Sequence, residues 1–228
     1  MKNTWNLIGC LATLAFFSSI AVAAEVGLPQ FSTSAERMEF RFQNSDFYSG
    51  VVKEDYTLTF KEQRGDRLIF TRREQNGNES ETIYTTDMGI CQSGSTAYTP
   101  CAPRFVFPME VGKTFKGEYT VDDKERIREG KITAFESLKL KDTEGKDVTY
   151  PAFKYVTTFR LKVIPPGVYS GYGNYTETYY YCSIPPVGIL CYNDIKTSNN
   201  TALYKLQLVS VKKIPAPIGG KSTVSPPN

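Results

Sequence analysis

Apolar and polar residues alternate with a period of two over much of the chain: Phe40 and Phe42, then Tyr56, Leu58 and Phe60, then Tyr155, Thr157, Phe159, Leu161 and Val163. That period places one set of side chains on one face of an extended strand, so these runs predict half-buried strands. Thr, Tyr, Val and Phe fill them, and Gly or Asn separate them at short intervals. No helical period persists over a useful length after the first two dozen residues.

The turns between these runs set an expected pairing. Asn76-Gly77 is a favoured two-residue hairpin turn because both residue types tolerate positive φ. Counting outward from it sets Phe70 opposite Ile83, Thr71 opposite Thr82 and Arg72 opposite Glu81, favourable pairs of roughly 0.2–1 kcal/mol each, with Glu74 opposite Glu79 as the one bad pair. Arg64-Gly65 and Glu144-Gly145 read as further turns. The expectation is an all-β antiparallel meander, with Leu68, Phe70, Ile83, Leu138, Leu140, Phe159 and Leu161 in its core. Such a sheet must curl, split or close, because open edges pair with other chains. A strongly curved sheet or incomplete barrel is the favoured form, and a closed barrel the alternative.

The two ends of the chain change the picture. Lys2, an apolar stretch from Leu7 to Val22 and the small residues Ala21, Ala23 and Ala24 have the three-part layout of a secretory signal, cleaved after Ala23 or Ala24. The rival reading, Leu7 to Cys10 as a lipoprotein box, fails on order: the apolar run follows Cys10 and should precede it. The stretch is too short and interrupted to anchor, and no transmembrane segment is expected after its removal. Residues 25–213 are expected to form a single β domain, and residues 214–228, dominated by Pro, Gly, Ser and Thr, a disordered tail. Loss of Lys2 leaves 26 of the 27 basic residues against 24 acidic ones, a net charge of +2. With both signs mixed closely, as from Lys124 to Lys146, that is no footprint for nucleic acid.

Four cysteines follow the signal: Cys91, Cys101, Cys182 and Cys191. Four thiols allow three pairings, and in an exported chain without a CxxC step disulfides are expected rather than zinc. If Pro185 to Gly188 form a four-residue loop, Cys182 faces Cys191 within bridging range, leaving Cys91–Cys101 as the second pair.

The chain has no histidine, which removes the usual general base, the usual zinc ligand and every Ser-His or Cys-His nucleophile. Asp122, Asp123 and Glu125 form the densest acidic group, in a composition typical of a solvated turn. Ser210-Val-Lys-Lys213, Ser198-Asn-Asn200 and Lys196-Thr-Ser198 mimic the elements of penicillin-recognising enzymes, but in the wrong order and within one hairpin. Arg64-Gly65-Asp66 and the glycosylation triplets at Asn78, Asn174 and Asn199 fall where turns are expected anyway. The least ordinary feature is aromatic: Tyr169, Tyr172, Tyr175, Tyr179, Tyr180 and Tyr181 lie within thirteen residues. Successive strand residues face opposite sides, so Tyr180 must point away from Tyr179 and Tyr181. Tyr169, Tyr172, Tyr175 and Tyr180 are therefore the candidate binding surface for a protein, lipid or glycan.

From Phe107 onward further motifs follow in order: FPMEVGKTF at Phe107 to Phe115, VTYPAF at Val148 to Phe153, PPVG at Pro185 to Gly188 and KLQLVS at Lys205 to Ser210. In this the chain resembles a family of exported bacterial β-domains of no assigned function, whose members read FPLxVGKxW, VTVPAGxF, WYxPxVG and ELxS over the equivalent of residues 107–210. It departs from them at Phe153, where the family has Gly, and at Tyr180-Tyr181, where the family's Trp-Tyr stands closer to the turn. The resemblance implies an envelope location and a curved or barrel-like antiparallel sheet, and supplies no catalytic residue.

The expected function is non-catalytic: an exported β-domain, periplasmic or extracellular, that binds a partner protein or an apolar or glycan ligand in its concavity and needs no cofactor. A histidine-free hydrolase with paired carboxylates is the second expectation, and a structural or assembly subunit the third. Intact-mass measurement of exported protein should give Ala24 or Glu25 as the first residue; a chain retaining residues before Ala21, or lipid on Cys10, would contradict the signal assignment.

Overall fold

The structure, a computed structural model, describes residue 31 and residues 38–162, 174–185, 187–197 and 201–214. The signal region, the tail, and Tyr169 and Tyr172 lie outside the described residues. Twelve strands follow one another: β1 (Met38–Asp46), β2 (Val52–Arg64), β3 (Arg67–Glu74), β4 (Glu79–Thr85), β5 (Ile90–Ser93), β6 (Thr96–Ala102), β7 (Thr114–Val121), β8 (Lys124–Lys141), β9 (Asp147–Leu161), β10 (Asn174–Ile184), β11 (Val187–Thr197) and β12 (Ala202–Lys213). Each pairs antiparallel with its neighbours in sequence, and β1 pairs with β12, so the meander closes into a barrel. Of the two expected forms, the alternative is the one observed. Closure satisfies the last two free edges, with Phe40 opposite Val211 and Phe42 opposite Leu208.

The alternating pattern becomes an inside and an outside. Phe40, Phe42, Leu58, Phe60, Leu68 and Phe70 point inward and are buried, as are Leu140 and Phe159 of the expected core. Leu138, Leu161 and Ile83 are only partly buried. Outward positions carry charges tied in cross-strand pairs, Lys61–Glu81 at 2.8 Å, Arg73–Glu79 at 2.6 Å and Lys116–Glu129 at 2.9 Å. A lipid-embedded barrel shows an apolar band on that face.

The β3–β4 register differs from the expectation by one residue. The Gly77 amide donates to the Glu74 carbonyl and Glu74 donates to Asn78, with Gly77 at φ 87°, so the loop has three residues and ends in a glycine bulge. The extra residue sets Ile69 opposite Ile83 and Arg73 opposite Glu79, turning Thr82 inward and Ile83 outward. At the other predicted hairpin Ile184 pairs with Val187, so the connection is two residues long and Cys182 lies opposite Ile189. A bulge after Tyr180 absorbs Cys191, and the bridge forms diagonally with Cα atoms 5.8 Å apart. Cys91 and Cys101, 4.1 Å apart at Cα, form the second bridge. Asp122 and Asp123, at φ 50° and 58°, make a tight primed turn between β7 and β8, as befits solvated acids.

The lumen is too wide for wall side chains alone, and the connection from β6 to β7 enters it. Phe105 packs edge-on against Tyr155 and Tyr181 at 4.9 and 5.1 Å, and Phe107 against Tyr181 at 5.5 Å. Phe31 fills the space between Phe40, Phe60 and Phe70. Two inward glycines leave room. A Cβ on Gly117 would stand 2.6 Å from the Pro103 ring, and one on Gly130 would stand 2.5 Å from the Phe115 ring and 2.7 Å from Thr157 Cγ2. Gly130→Ala should lower stability in urea unfolding by about 1–3 kcal/mol, because overpacking against two rigid neighbours outweighs the backbone entropy an alanine recovers, about 0.5–1 kcal/mol. An unchanged midpoint would show that the lumen is loosely packed there.

Candidate functional site

The lumen has two unlike halves. Toward the end where β1 begins and β12 ends, which also holds the 103–113 connection, it is aromatic and dry. Toward the other end, where β1 meets β2 and β3 meets β4, inward positions turn polar: Asn44, Glu54, Arg72, Ser80, Arg128, Glu177 and Asn193 all fall on the inward phase of their strands. The change of character along one phase is what makes a site.

Its innermost element is a buried ion pair. Arg128 on β8 and Glu177 on β10 are 6% and 3% exposed, and their Nη2 and Oε2 atoms are 2.9 Å apart. Tyr179 donates its hydroxyl to the same Oε2, Thr157 donates to it at 3.4 Å, and Arg128 Nη1 donates to the Pro103 carbonyl at 3.3 Å. Burial alone would pull the Arg128 pKa down, but Glu177 and the surrounding tyrosine hydroxyls outweigh it and hold the pKa above its ordinary value. Burial likewise pushes the Tyr179 hydroxyl well up, so it stays a proton donor. Such a pair costs desolvation to assemble, and what it secures is the inward direction of β8, β10 and the entering segment together.

Beside it opens a cavity of about 560 Å³, lined by Asn44, Glu54, Tyr56, Arg72, Tyr98, Arg104, Asn193 and Tyr204 among others. That is within the usual 300–1,000 Å³ of small-molecule sites. Arg72 is committed: its Nη2 lies 3.2 Å from Glu54 and 3.6 Å from Glu74, and its guanidinium lies 3.8 Å above the Tyr56 ring. Arg104, carried in by the 103–113 connection, sits against the Tyr84 and Tyr179 rings and is hydrogen-bonded to the Tyr84 side chain, and its Nε, like that of Arg128, is buried without a hydrogen-bond partner. The Oδ1 atoms of Asn44 and Asn193 are also buried and unpartnered. Below Arg104 the lining becomes Phe42, Leu58, Met88, Ile90, Ile189 and Leu190, around a gap of only about 60 Å³.

Glu54 and Glu74 both reach the cavity, but one guanidinium occupies the space between them, where an inverting hydrolase keeps its water. Among the described residues no group of His, Cys, Asp and Glu is spaced to hold a metal ion.

Of the four tyrosines expected to bind, Tyr169 and Tyr172 lie outside the described residues. Tyr175 shares the inward phase and stacks on Phe159 at 4.8 Å. Tyr180 does face away from Tyr179 and Tyr181, yet it is 9% exposed: its hydroxyl donates to Glu136 at 2.9 Å and Tyr192 and Lys154 cover its ring. The inward Tyr179 and Tyr181 belong to the core. Sequence reading missed Arg104, Arg128, Glu177 and Asn193. One signal was legible: Glu177 is in phase with Tyr179 and Tyr181, a charge on the face that the aromatics mark as buried.

No family model matches the chain, and no curated protein does. Among solved structures, a candidate exported protein with a YmcC-like fold from Bacteroides fragilis superposes with a TM-score of 0.50 at 9% identity, over 78% of this chain and 96% of its own. A candidate lipoprotein from Parabacteroides distasonis covers 81% of this chain and 97% of its own, with a TM-score of 0.48 at 11% identity. At that identity the Bacteroides fragilis structure establishes a shared fold.

Glu177→Gln should cost about 3–5 kcal/mol in urea unfolding, since it strands the Arg128 charge in the lumen, whereas the double replacement Arg128→Met with Glu177→Leu should cost much less. A single variant within about 0.5 kcal/mol of the parent, the scatter of ordinary surface changes, would mean the pair is not buried as described.

Proposed function

We propose that this is an exported, non-catalytic binding domain, periplasmic or extracellular, that takes a small polar ligand into the open half of its barrel. The observation that carries this reading is the 560 Å³ cavity and its polar lining of Asn44, Glu54, Arg72, Ser80, Arg104 and Asn193. The same geometry favours a polar ligand over an apolar one: the apolar gap beneath it, about 60 Å³, is too small for an acyl chain. The signal-like first residues and the shared fold with an exported protein support the location.

A partner protein is the second reading. Phe47, Tyr48, Val51 and Leu203 are exposed together on the rim, where the Phe47 amide donates to the Leu203 carbonyl. Aromatic and aliphatic groups so placed can extend a small-ligand site into a macromolecular contact.

Native mass spectrometry of protein taken from its own host should show an adduct of small-molecule mass, and Ser80→Trp, which fills the cavity, should remove it. An adduct that survives Ser80→Trp, or one of protein mass lost only on changing Tyr48 and Val51, would displace the cavity reading in favour of the rim.

A further inference from the structure

We propose that the Cys91–Cys101 bridge is a thiol-exchange site, opened by an external dithiol with the Arg67 guanidinium as the stabilising charge, and that its state sets how firmly β5 and β6 hold their side of the barrel. The two bridges stand in unlike places. Cys182 and Cys191 are fully buried, whereas Cys91 and Cys101 are partly exposed. Strand alternation explains the difference. Ile90 and Ala102, the residues next to them, point inward at 3% and 0% exposure, so the two sulfurs lie on the outer face, where a thiolate can approach.

Arg67 opens β3 on that same face, because its neighbour Leu68 is buried inward. Its Nη1 donates to Cys91 Sγ at 2.6 Å and also to Cys101 Sγ, while its Nε faces the exposed Asp66 at 3.5 Å. A cation in that place favours thiolate over thiol, and a more acidic thiol leaves faster in exchange. One nitrogen reaches both sulfurs, so whichever leaves is met by the charge. In the first step a thiolate of the dithiol attacks one sulfur, and the electron pair of the broken S–S bond goes to the other, which departs as a thiolate. The second thiolate of the dithiol then attacks its own sulfur in the mixed disulfide, closing the reagent into its disulfide and releasing the first cysteine. Two electrons and two protons pass from the dithiol to Cys91 and Cys101.

The bridge clips a thin seam. β5 and β6 pair at Ile90–Ala102, Gln92–Ala97 and Ser93–Thr96, with an irregularity between the first two, and β6 meets β7 at Thr99 opposite Thr120. By contrast β8 and β9 pair from Arg126–Leu161 to Lys141–Asp147. Strands with so short a ladder depend on the covalent link to stay in place, and opening it lowers the cost of local separation. Ser93, Thr96 and Tyr98 of this seam stand on the cavity wall. Reduction therefore loosens that wall, and its effect on a bound ligand rests on the cavity reading above.

The test is timed reduction of the full mature protein by dithiothreitol at neutral pH, quenched with iodoacetamide and read by peptide mass spectrometry. Cys91–Cys101 should open at least about 10-fold faster than Cys182–Cys191, which a reagent reaches only when the core opens. Arg67→Gln, with its fold checked by near-ultraviolet circular dichroism, should slow that opening. The expected factor is roughly 3–10-fold, from a leaving thiol about 1–2 pKa units less acidic at a sensitivity of about 0.5. Arg67→Lys should restore most of the rate. Equal rates for the two bridges, or a wild-type rate in Arg67→Gln, would overturn the exchange site, and Arg67→Lys as slow as Arg67→Gln would overturn the role of the charge. Hydrogen exchange on the selectively reduced protein reads the seam: amides of residues 90–102 should exchange roughly 10–100-fold faster, with those of residues 126–161 unchanged. Unchanged exchange over residues 90–102 would overturn the link to the wall. The host-derived adduct, sought on the oxidised protein, judges the cavity reading separately.

Discussion

Everything in this molecule depends on the pairing of β1 with β12. Until that seam closes, the meander is a sheet with two open edges, and either of its faces could be the buried one. Closure fixes the question for every strand at once, because a period of two then divides each into lumen and exterior. The register pairs Phe40 with Val211 and Asn44 with Leu206, and a bulge between Arg41 and Phe42 lets the two strands stay in phase along their length. The inward phase of β1 thus begins as core at Phe40 and ends as cavity wall at Asn44.

A twelve-strand lumen is larger than wall side chains fill, and the fold resolves this differently at its two ends. At one end the chain fills it with itself: Phe105 and Phe107 enter from the β6–β7 connection, and Gly117 and Gly130 give up their side chains to admit Pro103 and Phe115. At the other end the lumen stays open and polar. Arg104 belongs to both, since the segment that plugs the dry half delivers its guanidinium to the wet half. The Arg128–Glu177 pair and the Pro103 carbonyl tie that segment to β8 and β10. The same contacts that complete the core therefore place that guanidinium on the cavity wall.

Much of the fold was legible because periodicity is a local signal. The antiparallel meander, the turns at Gly65 and Gly145 and the acidic turn at Asp122 follow from residue types a few positions apart. Register was less legible. Whether Asn76-Gly77 makes a two-residue turn or Gly77 closes a three-residue one depends on which hydrogen bonds the flanking strands can complete, and the difference moved Ile83 from inside to outside. Closure was harder still, since it is a contact between residues some 170 positions apart in sequence. The site was the least legible. Arg104 stands in an irregular connection with no period, and nothing near it in sequence says that the connection turns into the lumen. The tyrosine cluster spans both faces of β10: the side that carries Tyr180 is covered by Glu136 and Tyr192, whereas the side that carries Glu177 leads to the cavity.

Closure is also what can be tested without knowing any ligand. Nuclear Overhauser spectroscopy on the isotopically labelled mature chain reads contacts between backbone protons directly. The account predicts cross-strand contacts along the whole β1–β12 seam, Phe42 with Leu208, Gln43 with Gln207 and Asn44 with Leu206, together with slow amide exchange in both strands. Fast-exchanging amides on β1 and β12 with no contact between them would contradict a closed barrel, and with it the chamber in which Arg104 and its neighbours are placed.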